Sequence, residues 1–215
     1  LECFRKVLKV AQHKGWMEDG RCLEELGRLC VKEETFPSFL DWDELRTVME
    51  TDMPAGRLER VKDVFVFCAL TGLSYQGIST LCPSHLFRDD EGTLWICRTR
   101  AEGAEVGDSC TSRVPLLKPA MVLLEKYRGW NPMNPEGPCF PVPSVQKMNE
   151  YLKEVSVLCR ISKRLTTQMA RNTFAATVTL ANRIPKEHVG EMLGYSSDYM
   201  LRHYTQALER NSQKA

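Results

Sequence analysis

The 215-residue sequence lacks the features of several common classes of protein. No apolar run approaches the roughly 18 residues that a membrane-spanning helix needs, so we expect no membrane partner. Internal repeats and low-complexity tracts are also missing, and the composition is typical of a soluble globular protein. The first residues show neither an initiator Met nor the charged-then-apolar pattern of a secretory signal, and we expect a further segment to precede them.

The nine cysteines form no recognisable metal or disulfide framework. They are scattered along the chain with no Cys-x-x-Cys pair, and no histidines cluster to complete a zinc site. We therefore predict no metal site and no cofactor. An odd number of unpatterned cysteines is typical of reduced core residues in a cytoplasmic protein.

Little net charge is present, but it is unevenly spread. The net charge of +1 is by itself weak support for a nucleic-acid partner. Residues 151–215 hold ten Lys or Arg against five Asp or Glu, which leaves residues 1–150 at −4. The basic excess lies in the same region as the motifs described below.

The spacing of apolar residues predicts a mainly helical α+β fold. Asp41 and Glu44 resemble a capping box, and Gly15, Gly72 and Gly194 suit helix ends. The long helix before Gly72 is expected to bury one face, which carries Val61, Val64, Phe65 and Cys68. Helices are predicted over residues 2–14, 41–50, 57–70, 120–127, 144–158 and 166–182, with two more beginning near Pro185 and Ser196.

A change of pattern in residues 84–117 predicts a small antiparallel sheet. Residues 94–97 alternate strand-prone side chains, 89–92 supply a turn, and 112–116 form a second extended segment. Pro115 confines its strand to a sheet edge or marks the end of the strand. We predict an interdomain linker over residues 31–40, with a main domain over 41–215 after it.

The last fifty residues carry three candidate functional segments on successive helices. Gln168 and Arg171 lie three residues apart on one helix, Tyr195 follows a Leu-Gly pair, and Tyr204 comes on the final helix. The stripe expected to bury this first helix is Ala170, Phe174, Thr177, Val178 and Ala181. An arginine, an aromatic hydrogen-bond donor and a late tyrosine on separate elements are able to converge on one phosphate.

The order and spacing of these motifs resemble the tyrosine recombinase (phage integrase) family, particularly its branch of integrases from mobile bacterial elements. The segments that carry the resemblance are residues 67–75, 114–117, 169–175, 191–195 and 203–204. The resemblance implies a recombinase catalytic domain over 41–215, with residues 1–30 as the end of a core-DNA-binding helical domain. It also implies double-stranded DNA as partner, a monomer in isolation and a tetramer assembled on DNA.

The resemblance assigns the site residues, and several depart from the family pattern. Tyr204 is the implied nucleophile and Arg171 the implied stabiliser of phosphate charge. Gln168 and Tyr195 stand where the family has histidines, and Ser74 stands where it has its first arginine. The lysine expected between the second and third strands is replaced, and Arg100 is the best match, with Arg98 as the alternative. An arginine holds its proton too tightly to be a good general acid.

Each of these residues also has a simpler interpretation. Ser74 suits a helix N-cap, Arg171 a surface ion pair, and Tyr204 a half-buried packing residue. Three classes of function remain after the sequence analysis. The first is an active recombinase with substituted helper residues, the second is a recombinase-derived DNA-binding protein with impaired cleavage, and the third is a helical module that binds protein.

Overall fold

The computed structural model describes residues 7, 10–16, 37–54, 56–99, 111–194 and 204–206. The chain divides into two compact units, Leu1–Thr35 and Phe36–Ala215. In the first unit residues 10–13 are helical, and Gly15 follows the helix with a left-handed φ of +70°. This agrees with the predicted end of the first helix.

The second unit is mainly helical and contains one small sheet. Its strands are β1 (Leu86–Arg88), β2 (Leu94–Thr99) and β3 (Thr111–Pro115). Its helices are α1 (Trp42–Glu50), α2 (Arg57–Thr71), α3 (Tyr75–Ser79), α4 (Lys118–Lys126), α5 (Val145–Leu158), α6 (Thr167–Thr173) and α7 (Lys186–Leu193). The predicted fold class is confirmed.

The helix ends follow from local hydrogen bonding. Asp41 accepts a bond from the Glu44 amide at 2.8 Å, and the Glu44 carboxylate accepts one from the Asp41 amide at 2.9 Å, so the predicted capping box is present. Thr166 caps α6 through the amide of Met169 at 3.1 Å. Gly72 ends α2 in the left-handed conformation that glycine adopts without strain.

The sheet is antiparallel in the order β1-β2-β3. Pro115 lies opposite Trp95 and is the last residue of the edge strand β3. A strand end on a sheet edge suits proline because it has no amide hydrogen to donate to the sheet. The turn before β2 is closed by Asp89, whose carboxylate accepts bonds from the Thr93 amide at 2.8 Å and from the Trp95 indole at 2.7 Å. The predicted sheet, its turn and its edge are confirmed.

Helix α2 is buried on nearly every side, whereas the sequence predicted one buried face. Of its last eleven residues only Lys62 is not fully buried, because α4, α5 and α6 all pack against this helix. A helix that is apolar around most of its circumference belongs in the centre of a domain. The predicted members Val61, Val64, Phe65 and Cys68 are all buried, and the burial extends beyond that face to polar residues such as Asp63.

Asp63 is only 3% exposed and lies between α2 and α4. Its carboxylate accepts bonds from the Lys126 ammonium at 2.6 Å and from the Tyr127 hydroxyl at 2.9 Å. A buried carboxylate is tolerated when charge and hydrogen bonds compensate its lost hydration. The cluster joins the end of α4 to the middle of α2.

The helix that starts at Thr167 changes its hydrogen bonding partway along. It is α-helical through Thr173, continues as a π-helix over Phe174–Thr179, and ends as a 3-10 turn over Leu180–Asn182. The wider π turn rotates the residues that follow it. Ala181 is therefore exposed, and its predicted place in the buried stripe was wrong, whereas the other four members of the stripe are buried.

Membrane spans and cysteines are the two remaining subjects of the sequence expectations. Within the described ranges, no helix is both long and apolar enough to cross a membrane. The cysteines described there have free thiols, but only Cys68 and Cys159 are buried, and Cys82, Cys97 and Cys139 are half-buried.

A Gly72→Ala substitution is expected to lower the free energy of unfolding by about 2–4 kcal/mol. About 1 kcal/mol comes from the left-handed backbone, and the rest from overpacking. The added Cβ would lie 2.5 Å from a Phe174 ring carbon and 2.7 Å from a Leu193 methyl carbon. Urea denaturation measures the loss.

Gly129→Ala is the matched control for this substitution. Gly129 has the same φ of +70°, and a Cβ there meets nothing within 4 Å, so only the backbone cost of about 1 kcal/mol is expected. Equal losses in the two variants would contradict the packing described at the end of α2.

Candidate active site

Arg171 lies in the last turn of α6 and joins the ends of two other helices. Its Nη1 donates to the carbonyl oxygen of Gly72 at 2.5 Å, and its Nη2 donates to the carbonyl oxygen of Leu193. Gly72 ends α2 and Leu193 is the last residue of α7. A carbonyl at a helix end has lost its intrahelical partner, so a guanidinium with several donors suits both acceptors at once.

Burial keeps the thiol of Cys68 neutral although it feels the positive charge of Arg171. Burial raises the pKa of Cys68 on α2 to about 12, although the positive charge of Arg171 acts in the opposite direction. At neutral pH Cys68 is thus a protonated thiol and does not place a negative charge beside the guanidinium.

Tyr204 lies in a short helical segment over residues 204–206, and its side chain is only 3% exposed. Its hydroxyl donates to the Oδ1 atom of Asn172 at 2.9 Å. Since Asn172 directly follows Arg171 on α6, the structure brings the predicted tyrosine and the predicted arginine to the same turn of one helix. The phenol points into the protein, as the packing interpretation of Tyr204 also requires.

Asn172 is a residue that the sequence analysis did not select. Besides the Tyr204 hydroxyl, its Oδ1 accepts a bond from the Gln168 amide at 3.0 Å, and its Nδ2 donates to the Ser38 carbonyl at 3.0 Å. Two signals were available, namely its position beside Arg171 and its i+4 spacing from Gln168. Neither signal shows which distant groups an asparagine contacts.

Gln168 and Ser74 are both exposed, and each makes a local hydrogen bond. Gln168 is exposed on the first turn of α6, with its amide directed along the helix to Asn172. Ser74 caps α3 by accepting a bond from the Gly77 amide at 3.1 Å, as its simpler interpretation predicts. It is exposed and lies two residues after Gly72, whose carbonyl Arg171 holds.

Of the two arginines that are candidates to replace the family's lysine, only Arg98 lies within the described residues. Arg100 lies outside the described residues, as does Tyr195, which follows the left-handed Gly194. Arg98 on β2 is half-buried and donates to the Gly77 carbonyl and, at 2.8 Å, to the Thr80 hydroxyl. Burial lowers the pKa of Arg98. Its guanidinium holds α3 against the sheet.

These groups suit reaction with a phosphodiester. A phenol supplies an oxygen nucleophile, and a guanidinium held by two carbonyls is a preorganised cation for a phosphate. Among the described residues no three His, Cys, Asp or Glu side chains are grouped to hold a metal ion.

No protein-family model matches this sequence, and no curated protein matches it. Several solved structures match the fold. XerA recombinase shares 18% identity over 83% of this chain and 65% of its own, with a TM-score of 0.61. XerH site-specific recombinase bound to difH substrate shares 18% identity over 82% of this chain and 52% of its own, at a TM-score of 0.62. The Tn1549 transposon integrase in complex with transposon right end DNA shares 14% identity over 88% of this chain and 69% of its own, at 0.65.

The chain spans 65% of the XerA chain and 52% of the XerH chain that it matches. At identities of 14% to 18% the agreement establishes the fold. The family resemblance seen in the motifs is confirmed at that level: this chain has the fold of the tyrosine recombinase catalytic domain.

Proposed function

We propose that this chain is the catalytic part of a site-specific DNA recombinase or integrase, which cleaves and rejoins double-stranded DNA through a 3′-phosphotyrosine intermediate. One observation carries the proposal: the Tyr204 hydroxyl bonds to the residue that follows Arg171 on α6, at 2.9 Å. The agreement of the fold with solved recombinases and integrases supports it.

In the proposed reaction the Tyr204 oxygen attacks the phosphorus of the scissile linkage. The new bond joins the phenolic oxygen to phosphorus, the bond from phosphorus to the 5′ oxygen breaks, and the phenol loses its proton while the departing 5′ oxygen gains one. The phosphotyrosine keeps the energy of the broken linkage, so a second DNA end with a free 5′ hydroxyl is able to reverse the step and join.

Arg171 is proposed to stabilise the charge that grows on the nonbridging oxygens during this attack. Preorganised donors act most strongly where charge develops in the transition state. The bonds from Arg171 to Gly72 and Leu193 hold its guanidinium in one place before DNA binds. A lysine in this position has no planar fork with which to hold both carbonyls and meet a phosphate.

Four further residues are proposed as helpers. Gln168, Tyr195 and Ser74 are neutral hydrogen-bond donors for phosphate oxygens, and Arg100 is a cation close to the departing strand. The role of Gln168 is supported by the bond from its amide to Asn172, the residue after Arg171. None of the four is a strong general acid, which predicts slow chemistry for this enzyme.

The proposed partner is duplex DNA, and the proposed assembly is a monomer that forms a tetramer on its site. The excess of ten basic over five acidic residues in 151–215 supports an electrostatic contribution to DNA binding. Residues 1–30 are proposed to be the end of a core-DNA-binding helical domain joined by the linker at 31–40. We propose that the enzyme serves a mobile DNA element and acts in the cytoplasm.

A covalent adduct is the expected product when the protein meets a cleavable site. Full-length protein is incubated with a library of DNA duplexes that share a random central segment, and adducts are captured under denaturing conditions and sequenced. We expect adducts attached through Tyr204, and none with Tyr204→Phe, because that variant lacks the attacking oxygen.

Gel-shift binding of the same library separates the outcomes of this experiment. Retention of DNA without any adduct supports the alternative, a DNA-binding protein with impaired cleavage. Absence of both adduct and retention supports the protein-binding module. Adducts that persist in Tyr204→Phe would overturn the choice of nucleophile.

Arg171→Lys is expected to slow adduct formation by about 10²- to 10³-fold, which is the usual cost of losing one preorganised donor. The matched control is Arg164→Lys, since Arg164 is exposed shortly before α6. Rates are compared on a site recovered from the library, at a temperature where both variants are folded by circular dichroism. Similar rates in the two variants would remove Arg171 from the proposed chemistry.

A further inference from the structure

The segment 37–40 is bound closely by side chains that lie before, on and just after α6. The Leu40 amide donates to the Thr173 hydroxyl at 3.0 Å, and the Leu40 carbonyl accepts a bond from Thr177. The carbonyl of Phe39 accepts a bond from the Lys163 ammonium at 3.0 Å. This segment opens the second unit, which begins at Phe36.

Asn172 connects this segment to Tyr204. Its Nδ2 donates to the Ser38 carbonyl at 3.0 Å, and its Oδ1 accepts the Tyr204 hydroxyl at 2.9 Å. The side chain is 7% exposed, so water has little access to replace either bond. Ser38 is 134 residues from Asn172 in the chain, whereas Tyr204 is 32 residues away.

The bond to Ser38 determines which way the Asn172 amide faces. A backbone carbonyl only accepts hydrogen bonds, so the amide nitrogen must lie towards Ser38 and the amide oxygen towards Tyr204. An amide oxygen also only accepts, so Tyr204 must be the donor in its bond to Asn172. The phenolic proton is thus held between the two residues.

We propose that Asn172 is a positioning residue that stores Tyr204 with its hydroxyl as a donor, and that segment 37–40 controls this storage through Ser38. The regulatory meaning rests on the proposed function of Tyr204 as nucleophile. A neutral amide is not a base, so the bond to Asn172 does not take the proton from Tyr204. Attack on phosphorus requires Tyr204 to leave Asn172.

The control arises from the cost of leaving a buried donor unsatisfied. If segment 37–40 shifts away, Nδ2 loses the Ser38 carbonyl, and the amide regains a partner by turning away from Tyr204. The segment begins two residues after Thr35, the last residue of the first unit. A displacement of segment 37–40 is thereby conveyed to the nucleophile.

Fluorine NMR of the full chain without DNA tests the storage directly. Tyr204 is replaced by 3-fluorotyrosine, and the accessibility of the fluorine is measured by relaxation from a soluble gadolinium chelate. Asn172→Ala should increase that relaxation about fivefold, as expected for loss of one net hydrogen bond. Unchanged relaxation in a variant that melts cooperatively overturns the storage by Asn172.

Thr173→Val tests whether the segment acts on Tyr204. Valine matches threonine in shape and removes the bond to the Leu40 amide, while the other bond of that hydroxyl goes to the Met169 carbonyl on its own helix. The matched control is Thr71→Val. Thr71 is equally buried at 0% exposure, and its hydroxyl donates to the Phe67 carbonyl on its own helix.

We expect Thr173→Val to raise the fluorine relaxation and Thr71→Val to leave it unchanged. In an Asn172→Asp background, where an acceptor for Tyr204 remains but the donor to Ser38 is gone, Thr173→Val should have no effect. Additive effects of the two substitutions would overturn the coupling. Because the measurement contains no DNA, failure of this inference and failure of the adduct experiment are independent results.

Discussion

The contact on which the site depends is the pair of hydrogen bonds from Arg171 to the carbonyls of Gly72 and Leu193. Both acceptors lie at helix ends, where the backbone has carbonyls to satisfy. One guanidinium therefore holds the ends of α2 and α7 together beside α6. Three of the motif segments each contribute one member of this contact, namely Gly72, Arg171 and Leu193.

A second arrangement is built beside the first. Asn172 uses both ends of its amide, and the group that it holds is the phenol proposed to cleave DNA. A buried polar network of this kind stabilises the fold when each donor and acceptor is satisfied, and it is costly when one of them is left without a partner. The proposed function requires such a departure, because a nucleophile 3% exposed does not reach a phosphate.

The sequence predictions were accurate for features that depend on residues close together in the chain, and less accurate for features that depend on distant residues. The capping box at Asp41 and the glycine ends of α2 and α7 depend on hydrogen bonds between residues only a few positions apart in the chain. The sequence therefore predicted them correctly. The extended burial of the last eleven residues of α2 and the π turn after Thr173 depend on neighbours from distant parts of the chain. Local periodicity carries no record of those neighbours, and both features were missed.

The sequence by itself determined the mainly helical fold with its small sheet and the helix ends, and it proposed Arg171, Gln168 and Tyr204 as candidate site residues. Only the tertiary structure decided how they meet. It turned Tyr204 inward and inserted Asn172 between tyrosine, glutamine and segment 37–40. The physical reason is that the chemical type of a polar side chain fixes only which kinds of group it is able to hydrogen-bond. The partner that it finds, 99 residues away for Arg171 and 134 for Asn172, depends on how the helices pack.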